Sequence, residues 1–292
     1  QRRFVMAGRT WIVVDADPEQ NELLVAPVSD QGHAPQWVGE LPPTPAEVAR
    51  EAGRLRRLFA IDLGLMADEK VNEIDPAELL KGDSKLEDYP LNGEAKGIIA
   101  EIITTHFDSA GMIPSERLIT IEDRDEALVI NSCQGNRINE ALGHYLLAMA
   151  STRTGKWGRL VVEPCRISLQ VGGVAPREII EWLCDTPPEA LEGVLSVTLP
   201  NSREVRWRFA QIAKIFGILR HGVDPRKINI QALLKKYRGT PVLEEVLSKL
   251  FHERMDVNGA SDIMRALPVS YTHLRAHETE ADLVCRLLLE KK

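Results

Sequence analysis

Several strings in this 292-residue chain imitate sites of chemistry, and their spacing decides against each of them. Ala150-Ser-Thr-Arg-Thr-Gly155-Lys156 is short of one Gly and one Ser/Thr for a phosphate-cradling loop. It also falls at the end of a predicted helix, whereas such a loop must open one for its amides to face the phosphate. Asp125-Glu126-Ala127-Leu128 has the look of an acidic Mg-binding box, but it precedes its strand instead of following it. His277-Glu278 lacks the second His of a zinc-protease helix. His33, His106, His144, His221 and His252 are scattered and form no Ser/His/Asp or Cys/His set. The four cysteines (Cys133, Cys165, Cys184, Cys285) have neither C-x-x-C spacing nor a neighbouring His, which argues against zinc and against a disulfide framework. A reducing, cytoplasmic setting fits. No catalytic residue, metal ligand or bound cofactor is expected in residues 1–268.

Binding chemistry is better supported. From Asn201 to Arg238 ten Lys/Arg face two acids, a local charge of +8 in a chain of net charge −7. In the helix predicted over Arg203–Leu219, Val205, Phe209, Ile212, Phe216 and Leu219 make one stripe. Arg203, Arg206 and Lys214 lie opposite, with Arg208 and Arg220 on the flanks. With Arg226, Lys227, Lys235, Lys236 and Arg238 these cations are suited to a phosphate track whose affinity falls with salt; a solvated helix face balancing an anionic remainder is the alternative. Around Asn131–Leu142 a strand, a turn and a helix follow one another, in which Gly135 permits close backbone approach and Asn136 is placed to cap. The first-turn amides, with Arg137 and Asn139 beside them, then offer an anion site, or simply a capped helix in a core. Trp37, in Pro35-Gln-Trp-Val-Gly39-Glu40, is placed to stack on an unpaired base or to close a small sheet.

The elements that would position these residues read as α+β. At 44% hydrophobic and 27% charged the chain has globular composition and core enough for about two domains, and no window approaches a bilayer span. Residues 1–40 predict a small antiparallel meander or partial barrel, with strands at Phe4–Ala7, Thr10–Asp15 and Leu23–Pro27. Residues 41–90 predict a helix, entered through Thr44 as cap and Pro45 as first residue, then an acidic linker. Residues 91–175 predict a mixed α/β unit, with a helix over Glu94–Phe107, strands at Leu118–Ile121 and Ala127–Ile130, a helix through Ile138–Met149, and strands at Leu160–Glu163 and Ile167–Gln170. Residues 176–268 predict helices throughout. Residues 269–292 resemble translated sequencing-adapter read-through and are set aside. The start, Gln1-Arg2-Arg3-Phe4, suggests a fragment of a longer chain.

Several of these motifs together resemble a known family. Phe4-Val-Met-Ala-Gly8-Arg9-Thr-Trp11-Ile, with Pro35-x-Trp37-x-Gly39-Glu40, is similar to the region that follows the motor domains in large helicase-related (Lhr) proteins, superfamily-2 DNA helicases. Val129-Ile-Asn-Ser-Cys-Gln-Gly135-Asn-Arg-Ile-Asn139-Glu-Ala-Leu resembles the signature of their DEAD/H-associated segment. Trp207-Arg-Phe209-x3-Ala213-Lys-x-Phe216-Gly217 and Tyr237-Arg-Gly-Thr240-Pro241-Val-x-Glu244-Glu245 resemble its C-terminal half. The likeness runs in order over about residues 3–268. It implies an accessory region of an ATP-dependent 3′–5′ DNA helicase acting in repair, which guides single-stranded DNA, or the DNA of an RNA–DNA hybrid, during unwinding. The RecA-like motors, which would take ATP and Mg, and a winged-helix unit would lie upstream. Cys133 and Gln134 stand where relatives vary, so the likeness assigns them no chemistry. Two other classes stay open: a scaffold or protein-interaction module bracing a motor, marked by an exposed apolar patch and paired cations, and an unrelated small-molecule enzyme, marked by a deep pocket of titratable groups.

Overall fold

The structure, a computed structural model, describes residues 3–6, 9–17, 22–28, 42–66, 85–124, 127–220, 228–267 and 275–277. The chain divides into two compact units, one from residues 1–42 and 200–249 and the other from residues 43–199 and 250–292. The helical stretch 176–268 therefore contributes to both.

The short apolar runs at the start form β1 (Arg3–Met6), β2 (Arg9–Asp17) and β3 (Glu22–Val28), an antiparallel meander in the order β1-β2-β3 with an irregularity between Val13 and Asp15. Trp37 lies outside the described residues. In the second unit α1 (Ala46–Asp62) begins one residue later than predicted: Pro45 is the N-cap residue, and no side chain caps the helix. Thr44 is engaged elsewhere, its amide donating to Asn136 Oδ1 at 2.8 Å. A single 3₁₀ turn at Leu86–Asp88 leads to α2 (Gly93–Ala110), capped by Asn92, whose Oδ1 accepts from Ala95 N at 2.8 Å. Phe59 and Ala60 of α1 meet Ile103 of α2 and Ile113 in a buried cluster.

β4 (Thr120–Arg124), β5 (Ala127–Asn131), α3 (Asn136–Thr154), β6 (Arg159–Glu163) and β7 (Arg166–Gln170) follow. The strands pair antiparallel in the order β6-β7-β5-β4. α3 lies on β6 and β7, burying Tyr145 and Leu146 in the same core as Ile121, Ile130, Ile167 and Leu169. Gly155 ends α3 in a left-handed conformation (φ 67°), so the Gly155-Lys156 string closes a helix, as its position implied. α4 (Pro176–Asp185) and α5 (Ala190–Thr198) complete this part of the unit.

α6 (Arg203–Ile215), α7 (Ile230–Lys236) and the start of α8 (Pro241–Arg254) belong to the first unit. α6 stops four residues short of the predicted Leu219. Gly217 takes a left-handed φ of 69°, and the amides of Ile218 and Leu219 turn back to Ala213 O at 2.8 and 3.1 Å. Phe216, predicted on the buried stripe, is therefore exposed, while Val205, Phe209, Ile212 and Leu219 are buried. The last two elements, α9 (Val257–Ala266) and β8 (Arg275–His277), return to the second unit. β8 pairs parallel with β4 through Thr120–Glu122 and falls inside the segment that sequence set aside.

Candidate nucleic-acid interface

In the first unit the apolar stripe of α6 fixes which of its cations can meet a ligand. Ser202 caps the helix, its Oγ accepting from Val205 N at 3.1 Å, and Phe209 packs at 6.2 Å between ring centroids against Tyr237, just beyond α7. α7 is capped by Asn229, whose Oδ1 accepts from Ala232 N at 3.0 Å. Between α6 and α7 runs an open groove of about 400 Å³, lined by Arg206, Trp207, Gln211, Asn229 and Gln231 over a floor that includes Ala210. Trp207 is 64% exposed, and Gln211, Asn229 and Gln231 have exposed side chains. Arg206 is half-buried, with its Nε donating to Ser202 O at 3.4 Å.

Such a wall joins an aromatic face, amide groups and a guanidinium. An aromatic plane can take a base of any identity, amides can pair with base edges or sugar oxygens, and a cation can meet phosphate. Nearby in sequence, Lys214 is half-buried, while Arg220, Lys235, Lys236 and Arg238 are exposed. Lys236 Nζ lies 5.8 Å from the centroid of the Tyr237 ring, a cation–π contact.

Arg208 departs from the expected flank position. It is 8% exposed, and its Nε lies 4.0 Å from the Glu204 carboxylate one turn earlier, so packing places it inside the unit. The side chain of Arg203, and Trp37, Arg226 and Lys227 entirely, lie outside the described residues. Trp207 and its amide neighbours were not singled out as ligand contacts from sequence. The signal was present: at 100° per residue Trp207 falls beside Lys214, on the side opposite the apolar stripe.

The strand–turn–helix in the second unit resolves differently. Gly135 has φ of 80°, and a Cβ there would stand 2.8 Å from both Ala46 N and Thr44 O, so the backbone it approaches is the chain's own. Asn136 does not cap α3. Its amide donates to Thr44 O at 3.1 Å while its Oδ1 accepts from Thr44 N, tying α3 to the entry of α1. Asn139 is 0% exposed, and its Nδ2 donates to the carbonyls of Ser132, Glu163 and Pro164 at 2.9, 3.0 and 3.1 Å. Arg137 Nη2 donates to His252 O at 2.6 Å and Met255 O at 3.2 Å, at the end of α8. Both residues were expected to face an anion. In the fold Asn139 ties two turns together, and this Arg137 nitrogen is engaged by carbonyls. The neighbouring strands carry a polar cluster, in which buried Asn131 Nδ2 donates to Glu122 Oε1 at 2.5 Å and Nη2 of the exposed Arg124 donates to Glu122 Oε2 at 2.6 Å. Burial alone would raise the Glu122 carboxyl, but these two donors outweigh it and hold it below its ordinary value.

Comparison with known proteins bears on both units. The family model described as DEAD/H associated matches residues 113–281. No curated protein matches the chain. Among solved structures the fold is similar to that of the Mycobacterium smegmatis helicase Lhr bound to ssDNA and AMP-PNP. The TM-score is 0.61 at 16% identity, over 87% of this chain and 32% of that one. The chain thus spans about a third of the length of the solved protein it matches.

Proposed function

Because this chain belongs to the DEAD/H associated family, we propose that it is a nucleic-acid-binding accessory region of an ATP-dependent 3′–5′ DNA helicase of the Lhr type. In this reading it guides single-stranded DNA during translocation and unwinding in DNA repair. ATP and Mg²⁺ act on RecA-like motors elsewhere in such a protein, and this chain supplies a surface, not a reaction centre. The work is cytoplasmic, in keeping with the absence, among the described residues, of any helix long and apolar enough to cross a membrane.

One observation carries the reading: exposed Trp207 stands beside Arg206 on a groove edged by Gln211, Asn229 and Gln231. A base stacked on the indole leaves its phosphates to Arg206 and the lysines, which is how a strand is held without regard to sequence. The similar helicase was solved with ssDNA bound, which supports the choice of ligand. Trp37 is a second stacking position that this reading calls on.

Anisotropy of a labelled oligothymidine against salt tests it. Replacing Arg206 and Lys214 together by Ala is expected to weaken binding for all sequences alike and to flatten the salt dependence by about 1.4 in slope, at about 0.7 per lost single-strand contact. An unchanged slope overturns the phosphate track. It would favour the bracing-module reading, which has its own support in the exposed Ile215 and Phe216 at the end of α6.

A further inference from the structure

Two of the four cysteines meet in the second unit, apart from the chemistry proposed above. Cys133 sits in the turn between β5 and α3, and Cys165 in the turn between β6 and β7. The two turns are bonded to one another. Ser132 N donates to Cys165 O at 3.1 Å and Gly135 N to Pro164 O at 2.9 Å, while the Asn139 amide bridges Ser132 O to Glu163 O and Pro164 O. Held this way, the two thiols stand close enough to act on each other's ionisation. Arg56 of α1 closes another side: its Nη1 donates to Cys133 Sγ at 3.4 Å, and its charge also favours the Cys165 thiolate. Arg166 and Glu116 act on the pair at longer range.

The two thiols differ in the way that matters for oxidation. Cys133 is 0% exposed, whereas Cys165 is partly open to solvent. The neighbouring Cys133, reinforced by Arg56, brings the Cys165 thiol down to about 6 against the opposing effect of burial. Cys133 is pushed up by Cys165 and by burial, so it stays protonated. A reachable thiolate beside a cation, with a second sulfur in contact, is the arrangement that favours reversible oxidation.

We propose that Cys165 and Cys133 are a redox pair that a hydroperoxide converts to a disulfide, with Cys165 as the attacking sulfur and Cys133 as the resolving one. The Cys165 thiolate attacks one peroxide oxygen and the O–O bond breaks. Hydrogen peroxide then leaves a sulfenic acid on Cys165 and releases hydroxide. The Cys133 sulfur next attacks the Cys165 sulfur, and the S–O bond breaks. The Cys133 proton leaves with the departing hydroxyl as water as the S–S bond forms. The two sulfurs together give up two electrons, and the peroxide accepts both. Closure removes the thiolate that faces Arg56.

The test uses the full chain oxidised with stoichiometric hydrogen peroxide and digested with trypsin without reduction. The expected product joins residues 125–137 to residues 160–166 and disappears in Cys165→Ser. In Cys133→Ser, dimedone captures the sulfenic acid on Cys165. Because Cys133 Cβ would stand 3.0 Å from a Cβ at Gly53, its surroundings are tight, and a measurement free of variants accompanies the map. Alkylation of Cys165 by iodoacetamide in the unmodified chain is expected to reach half its maximal rate near pH 6. Absence of the 125–137/160–166 product from the oxidised wild type, or an alkylation midpoint near the ordinary value of about 8.5, overturns the proposal.

Discussion

In the first turn of α3 the Asn139 amide nitrogen reaches three carbonyls and Arg137 Nη2 reaches two more, while Asn136 clasps Thr44 from both sides. On α6 and α7 the same residue types stand around an open groove, with the side chains of Gln211, Asn229 and Gln231 exposed and Trp207 among them. Asparagine and arginine thus serve the fold in one region, while amide side chains are exposed in the other. The difference is one of burial. A polar group taken out of water must find a partner inside the protein, and once it has, it has little left for a ligand. Charge and spacing nominated both regions for nucleic acid, and only packing separates them.

The contrast breaks most visibly through Gly135. Ala at this position meets backbone on both sides, at Ala46 N and Thr44 O, and must also adopt a positive φ. Gly135→Ala is expected to lose on the order of 4 kcal/mol in chemical denaturation, while the chain that stays folded binds oligothymidine within twofold of wild type. A large affinity loss without a stability loss would return the turn to the list of ligand contacts.

The buried region should also answer to pH where the exposed face answers to salt. His144 on α3 is held down at about 4 by burial. Its folded value lies below the ordinary ~6.5, so the unfolded chain takes up a proton first as pH falls. The stability this neutral ring confers is complete above about pH 6.5 and drains away toward pH 4, by about 3 kcal/mol in all. Glu140 Oε2, 3.6 Å from His144 Nε2, works against the shift and reduces that figure. Urea midpoints of wild type and His144→Gln measured from pH 7 to 4 are expected to converge at the acid end. Parallel curves would show that the ring is not buried neutral.

On the groove side the effects are on binding. Trp207→Ala is expected to weaken oligothymidine binding by ~1–3 kcal/mol, read by anisotropy. The Tm should stay almost constant, because a 64% exposed ring contributes little to packing. Smallest of all, Lys235→Ala and Lys236→Ala should each lower the salt slope by about 0.7, with Lys236→Ala also removing its contact over Tyr237.

How much of this was legible depended on how local the cause was. The short apolar runs in Thr10–Asp15 and Leu23–Pro27 mark β2 and β3 because their cause is written into neighbouring residues, the turn chemistry that bounds each run. The stripe of Val205, Phe209 and Ile212 marks α6 just as locally. Phe216 belonged to that arithmetic but not to the helix, since Gly217 unwinds the chain just after it. Asn139 sits in the core through carbonyls of Glu163 and Pro164, which no local spacing records. Asn136 satisfied the rule for a cap and bonds Thr44 instead, 92 positions away. Cys133 and Cys165 likewise lack any motif, since the contact between them is made by two turns brought together only in the fold.

Ultraviolet cross-linking of the full chain to oligothymidine, with the modified residues identified by mass spectrometry, is the most direct measurement of the central claim. The account predicts adducts on Trp207 or elsewhere in residues 203–236, lost when Trp207 is replaced by Ala. Adducts confined to the other unit, for example at Trp157, which is 88% exposed, would contradict it.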